Sequence, residues 1–256
     1  IFQPAEEMHP GGAKQMIKEG VLENPKVEKM LGQHVFPDLE VGKVGFRPGK
    51  YMASTDELHI TIKGKGGHAA LPEKYNSPLL AAAKLITALD EYSKKEKDRP
   101  CVLAIGFIEG LGSTNVIPEQ VKLKGTLRAM DEDFRMKTHE KMLAIANTIA
   151  EMYSLTIDFD IRKGYPCLVN HEALTKKSIS FAKEYMGTEN VIDLPIRMTA
   201  EDFSYYSHEV PSCFYRLGTA NKSKGITHGL HTSRFNIDES YLKSGMGLMD
   251  YLAIKN

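Results

Sequence analysis

Apolar and polar residues alternate most regularly in the middle of the chain. Leu58, Ile60 and Ile62 alternate with His59, Thr61 and Lys63, which predicts a half-buried strand. Residues 79–89 place Leu79, Ala82, Ala83, Leu85, Ile86 and Leu89 on the inward side of a helix. Residues 102–108 and 121–127 predict two strands with a Gly-rich turn between them. Residues 134–153 predict a helix with a stripe of Met142, Ile145, Ala146, Ile149 and Met152. Leu155, Ile157, Phe159 and Ile161 then alternate strictly with Thr156, Asp158 and Asp160. The order β-α-β-β-α-β is the split-βαβ, ferredoxin-like signature, so residues 53–162 are expected to form one α+β module.

The flanking segments carry a different pattern. Ile1-Phe2-Gln3 reads as the end of a strand with a turn at Pro4, followed by a helix over 12–21 carrying Ala13, Met16, Ile17 and Val21. An apolar run spans 27–35, and Gly/Pro punctuation over 42–49 suits a crossing between modules. After Gly164, Asn170 reads as the N-cap of a helix ending at Met186, with Gly187 beyond it. A buried-type strand is expected at 213–217 and a closing helix at 241–254. Residues 1–52 and 163–256 therefore read as two parts of one α/β domain interrupted by the inner module.

Composition narrows the partners. The 256 residues balance 33 Lys+Arg against 33 Asp+Glu, so no basic excess points to nucleic acid. No apolar run approaches the roughly 18 residues of a membrane span, and no basic-then-apolar leader is present. Cys101, Cys167 and Cys213 lie far apart and outside any metal-type pair, which predicts structural thiols in a reduced, cytoplasmic chain. The sequence opens on Ile1-Phe2-Gln3-Pro4 without an initiator Met, as though cut inside a strand, and is expected to be a processed form or to lack upstream residues.

Candidate chemistry is spread along the chain. Adjacent carboxylates at Glu6-Glu7 can point in different directions from a turn, one to bind a metal and one to act as a base; a solvated acidic turn is the competing reading. His34 and His231 offer imidazole ligands, with His228 as a rival to His231; an ordinary hydrogen-bonded histidine at 34 and loop histidines at 228 and 231 are the competing readings. His68 lies among glycines, in Gly64-Lys65-Gly66-Gly67-His68-Ala69-Ala70, where backbone can approach a ligand closely. Asn115 and Arg128 flank the next strand, where a guanidinium can clamp a carboxylate; structural hydrogen bonding is the alternative for both. Thr199 can cap a helix whose first turn holds Glu201 and Asp202, an assignment balanced against a substrate-site role. No Gly-x-Ser-x-Gly elbow and no Cys at a helix start beside a basic group support nucleophilic catalysis.

Taken in order, Phe2-Gln3-Pro4-Ala5-Glu6-Glu7 with Gly11-Gly12-Ala13, Gly32-x-His34, Gly66-Gly67-His68-Ala69-Ala70, Asn115-Val116-Ile117-Pro118, Gly125-Thr126-Leu127-Arg128-Ala129, Glu201-Asp202-Phe203 and Leu230-His231-Thr232-Ser233-x-Phe235 form one set across the whole chain. The set resembles the zinc-dependent aminoacylase and carboxypeptidase-like amidohydrolases, in the branch containing hippurate hydrolase, N-acyl-L-amino-acid amidohydrolase and indole-acetyl-amino-acid hydrolase. The resemblance implies a metal-dependent aminopeptidase-like α/β domain carrying an inserted four-stranded satellite domain. It implies that Glu6 takes a proton from the attacking water and returns it to the leaving amine. Glu7 and His231 would ligate one metal and His34 the other. His68 would act in the active site of a dimer partner as an oxyanion stabiliser, and Asn115 and Arg128 would hold the amino-acid part of the substrate. The implied cofactor is a pair of divalent ions, zinc first, with manganese, cobalt or nickel as alternatives. The implied substrate is a small N-acyl amino acid or dipeptide, and the implied assembly a homodimer through the satellite.

The sequence departs from that family pattern at Pro72-Glu73 and Asn76-Ser77-Pro78, where a Pro-His pair and an Asp-Pro pair are usual, at Thr199 in place of Gly, and at His9. These positions bear on acyl preference more than on the reaction. The family's upstream His-Ala-Cys-Gly-His-Asp segment has no counterpart between Ile1 and Asn256, so the chain alone is expected to bind metal weakly and to be inactive. The other readings are a dipeptidase or N-acetyl-diaminopimelate deacetylase of the same fold, and a dimeric binding protein without catalysis.

Overall fold

A computed structural model describes the chain from Ile1 to Asn256 apart from His9, Lys97 and Asp98, so the departure at His9 lies outside the described residues. In chain order the elements are α1 (Gly12–Lys18), β1 (Met30–Glu40), β2 (Val44–Phe46), β3 (Gly49–Met52), β4 (Asp56–Lys63), β5 (Gly67–His68), α2 (Pro78–Lys95), β6 (Cys101–Glu109), β7 (Val116–Ile117), β8 (Gln120–Ala129), α3 (Glu132–Tyr153), β9 (Thr156–Lys163), β10 (Leu168–Asn170), α4 (Glu172–Met186), β11 (Val191–Asp193), α5 (Ser204–Glu209), β12 (Ser212–Ala220) and α6 (Tyr241–Lys255). The α/β class expected from the sequence holds. No helix among the described residues is long and apolar enough to cross a membrane.

The elements divide into two units. One comprises Ile1–Met52, Leu168–Arg197 and Glu201–Asn256, the other Ala53–Cys167 and Met198–Ala200. In the second unit an antiparallel sheet runs β6-β8-β4-β9. Strict alternation makes β4 bury Leu58, Ile60 and Ile62 on one face, where α2 and α3 contribute Leu85, Leu89, Met142, Ala146 and Ile149. On α2 the buried set is Pro78, Ala81, Ala82, Leu85 and Leu89; Leu79 and Ala83, expected inward, are exposed because the packed face lies a fraction of a turn away. Met152, also expected inward, is 61% exposed at the last turn of α3.

A polar network extends the buried stripe of α3. Asp56, fully buried at the start of β4, accepts hydrogen bonds from Arg135 Nε (2.9 Å) and Nη2, His139 Nε2 (2.6 Å) and the Gly164 amide (3.3 Å). Arg135 also donates to both oxygens of Glu132, whose Oε1 accepts from the Cys167 amide at 2.8 Å. These bonds hold the Asp56 carboxyl down at about pKa 2 against the opposing effect of burial.

In the first unit the sheet order is β1-β12-β2-β11, with β1 and β12 parallel. Every residue of β12 is buried, which marks it as a central strand. Its alternate residues face two cores: Cys213, Tyr215 and Leu217 meet Leu174, Leu248 and Leu252 of α4 and α6, whereas Phe214 meets Ala13, Phe203 and Tyr206. Burial pushes the Cys101 and Cys213 thiols up to about 11, so they pack rather than react.

Several expectations are corrected here. Residues 1–3 form no strand, and Phe2 is fully exposed, since the segment pairs with no sheet among the described residues. The first helix stops at Lys18. Residues 42–49 contain β2 and the start of β3 instead of a bare crossing: Val44, Gly45 and Phe46 are all buried and too short a run to show a period. Asn170 does not cap α4; His171 does, through its side chain and the Leu174 amide at 3.2 Å. Asn170 instead bridges the Phe214 amide (2.7 Å) and the Arg47 and Phe214 carbonyls. Thr199 caps no helix, because Glu201 and Asp202 precede α5 in a turn.

Candidate functional site

Glu6 and Glu7 sit on the turn between Gln3 and α1, where Ala5 takes a left-handed φ of 59°. His231 follows β12 in a long loop and is also left-handed, at φ 60°. Such conformations in non-glycine residues cluster at functional sites. The two segments meet: Glu7 Oε1 lies 3.7 Å from His231 Nε2. His228, the rival ligand, is exposed. Glu6 is half-buried, and burial first, then the charges of Glu7 and Asp202, raise its pKa above the usual carboxylate range; His231 and Arg216 pull the other way.

His34 lies within β1. Its Nδ1 is 2.7 Å from the Val35 carbonyl, an acceptor, so the proton sits on Nδ1 and the lone pair on Nε2. Burial, and then the charge of Arg216, depress its pKa to about 4, which keeps the ring neutral. Arg216 is the register partner of His34 on β12. It is buried, with Nε donating to Tyr51 Oη at 3.3 Å and its guanidinium 5.0 Å from the centre of the Phe214 ring. Its place inside an apolar run conceals it in the sequence; the one available signal is an arginine at the centre of a buried-type strand.

Glu201 and Asp202 join Glu6, with one oxygen of each carboxylate within 4.8 Å of the others. Burial, and then Glu6, push the Glu201 pKa up to about 8, so Glu201 is neutral near pH 7. Both Asp202 oxygens are occupied, by Gln3 Nε2 at 2.5 Å and the Ala13 amide at 3.0 Å. This trio is therefore an unpromising cation cage. The pair Glu7 and His231, with neutral His34, is the better donor set. Two ligands on one zinc at tetrahedral angles stand about 3.4 Å apart, close to the observed separation. A carboxylate oxygen and imidazole nitrogens fit a borderline divalent cation.

The second unit holds the remaining candidates. β5 and β7 pair His68 with Val116, and the Ala69 amide donates to the Asn115 carbonyl at 2.9 Å, so His68 and Asn115 are brought together. The Ala70 amide donates to His68 Nδ1 at 3.1 Å, which leaves the ring proton on Nε2. Arg128 lies apart from them on β8, in a pocket of about 420 Å³ also lined by Thr55, Glu57, His59, Lys124, Gly125 and Thr126. Its guanidinium is half-buried, against its charge, and makes no hydrogen bond or ion pair among the described residues.

The sequence profile of Peptidase family M20/M25/M40 matches residues 1–255. An N-acetyldiaminopimelate deacetylase of Geobacillus sp. is 34% identical over 258 residues, covering all of this chain and 67% of that protein. The IAA-amino acid hydrolase ILR1-like 4 of Arabidopsis thaliana is 34% identical over 261 residues, covering all of this chain and 59% of that protein. The crystal structure of the Bacillus subtilis YXEP protein, described as a dinuclear metal binding peptidase of the M20 family, superposes with a TM-score of 0.82 at 29% identity, covering 99% of this chain and 63% of that one. The chain thus spans roughly 59% to 67% of the length of the curated relatives it matches. The extent of that match, over essentially the whole chain, establishes that the chain belongs to Peptidase family M20/M25/M40.

Proposed function

We propose that this chain carries catalytic machinery of a metal-dependent amidohydrolase that cleaves the amide bond of N-acyl amino acids, releasing a carboxylate and a free amino acid. The observation that carries it is the approach of Glu7 to His231 at 3.7 Å beside a Glu6 of raised proton affinity. Glu7 and His231 would hold one divalent ion and His34 a second, zinc first, with manganese, cobalt or nickel as alternatives. When bound, such ions polarise the scissile carbonyl and make water nucleophilic at neutral pH. Three donors are fewer than two catalytic ions require, so the activity is proposed for the complete gene product.

Glu6 takes the proton of the attacking water and passes it to the leaving nitrogen; a carboxylate of raised proton affinity suits both transfers. His68, with its proton on Nε2, can donate to the developing oxyanion, acting from a partner subunit. The edge strand β6, with exposed Val102, Phe107 and Ile108, supports a homodimer through the satellite. Arg128, lacking an acceptor of its own, would take the substrate carboxylate, and Asn115, beside His68, would hold another part of the amino-acid moiety. A deacetylase acting on an acylated diamino acid is the second reading. The 34% identical relative of that name favours it, as does the mixture of Glu57 with Lys124 and Arg128 in one pocket.

The test is to assay the complete gene product on N-acetyl and N-benzoyl amino acids, N-acetyl-diaminopimelate and dipeptides, with metal analysis. Two equivalents of divalent metal are expected, and Glu7→Gln should lose at least one; unchanged stoichiometry in that variant would sink the ligand assignment. Arg128→Ala should raise KM roughly 10- to 100-fold for substrates with a free carboxylate, the value of a charge-assisted hydrogen bond pair. The corresponding carboxamides should show no such change, and equal effects on both substrate sets would remove Arg128 from carboxylate binding.

A further inference from the structure

Glu6 and Glu7 belong to a loop whose two feet are held by one side chain. Asp202 is fully buried, and its oxygens accept from Gln3 Nε2 at 2.5 Å and from the Ala13 amide at 3.0 Å. Those donors bracket the carboxylate pair on both sides. The feet also touch directly, since a Cβ at Gly12 would collide with the Pro4 carbonyl. Within the loop the Met8 amide reaches the Ala5 carbonyl at 3.2 Å and the Gly11 amide the Met8 carbonyl at 2.8 Å. Gly11, at the N-cap of α1, has no side chain to satisfy the first amides, so Asp202 takes the place of a capping carboxylate.

The next residue fixes the other end of this linkage. Phe203 is buried against Phe214 and Tyr206, at ring separations of 5.0 and 5.4 Å. A methyl group at Gly32 would fall 2.5 Å from the Phe203 ring, so the ring sits on the backbone of β1 two residues before His34. One dipeptide therefore grips the carboxylate loop with its first side chain and the histidine strand with its second.

We propose that Asp202 is a positioning residue: by clamping Gln3 and Ala13 it sets the Glu6–Glu7 loop against the β1 strand of His34, and cation affinity and base alignment depend on that clamp. The inference rests on the ligand and base roles proposed above for Glu7, His34 and Glu6. Asp202 acts chiefly by placing the loop, its charge also bears on Glu6, and it touches no reacting atom.

Cobalt(II) titration of the complete gene product, followed by its visible absorption, measures the clamp without turnover; kcat, KM and melting temperature accompany it. Asp202→Ala should weaken cobalt binding roughly 10- to 100-fold, as loss of a residue that orients a ligand does, and lower kcat with KM within about threefold. Asp202→Asn should recover most of both, because its oxygen can take the Ala13 amide while its NH2 meets the turned-over amide of Gln3. Gln3→Ala removes one foot only and should weaken cobalt binding roughly two- to tenfold, the value of one hydrogen bond; it decides the matter if Asp202→Ala does not fold. Cobalt affinity equal to wild type in Asp202→Ala or Gln3→Ala, whatever happens to the melting temperature, overturns the proposal. So does an Asp202→Asn variant as weak as Asp202→Ala, which would assign the effect to charge. Glu7→Gln separates the two levels: if it loses cobalt while Asp202→Ala keeps it, only the clamp fails, and if it too binds as wild type, the ligand reading itself fails.

Discussion

Replacing Glu6 by Gln is expected to lower kcat of the complete gene product by roughly 10²- to 10⁴-fold, the range for a general acid–base group. That corresponds to about 3–5 kcal/mol of activation free energy. Gln has the same shape and keeps an acceptor oxygen, but it cannot take a proton from water or return one to the leaving nitrogen. Both transfers occur only on the way to products, so KM and metal content should stay near wild type. The fold should not suffer either. Glu6 stands against the charges of Glu7 and Asp202, and removing its own charge relieves that repulsion. A melting temperature at or above wild type, combined with the loss of kcat, distinguishes a missing base from a damaged site. A kcat within tenfold of wild type would remove Glu6 from the role and favour another base.

The reasons some of this is legible in the sequence are physical. β4 and β9 announce themselves because one face of a sheet is buried and side chains alternate, so spacing alone assigns Leu58, Ile60 and Ile62 to the inner face. Glu6, Glu7, His34 and His231 stand out through the ordered motifs, not through periodicity. A turn carboxylate and a lone histidine look ordinary until distant segments meet, and Glu7 and His231 are 224 residues apart yet 3.7 Å from each other. Short buried strands such as β2 stay hidden because three residues show no period, and Gly45 reads as a breaker although its missing side chain leaves room for Leu194. Arg216 and Asp56 are hidden for a shared reason. A charged residue in an alternating or apolar run is taken as facing solvent, and only the fold supplies the partners that permit its burial. Asp202 is conspicuous in the sequence, but as part of a local helix cap; the amide it caps belongs to α1, 189 positions earlier.

Asp56→Asn should cost the second unit about 3–5 kcal/mol, the usual consequence of breaking a buried ion pair on one side only. The carboxylate is fully buried and accepts from two guanidinium nitrogens, His139 and the Gly164 amide, so every approach to it is a donor. Asn offers one acceptor and turns an NH2 toward those donors, leaving Arg135 charged, buried and short of partners. The folded pKa of Asp56, about 2, lies below its ordinary 3.8. A depressed carboxylate contributes stability that is present above the unfolded value and lost as pH falls through the folded one. The network's contribution should therefore fade between roughly pH 4 and 2, by about 2 kcal/mol, and Asp56→Asn should abolish that part of the acid sensitivity. The effect is local to the second unit, and a melting temperature would not say which unit was weakened. Amide hydrogen exchange is better, with lost protection expected in β4, β9 and the first turns of α3, and none in β1 or β12. Replacing Asp56, Arg135 and His139 together by apolar residues of similar volume should restore much of the protection, since no charge is then left stranded. Protection in β4 equal to wild type in the single variant would show that Arg135 is already satisfied by Glu132 and the carbonyls of Thr55 and Gly164, and that Asp56 is dispensable to the sheet.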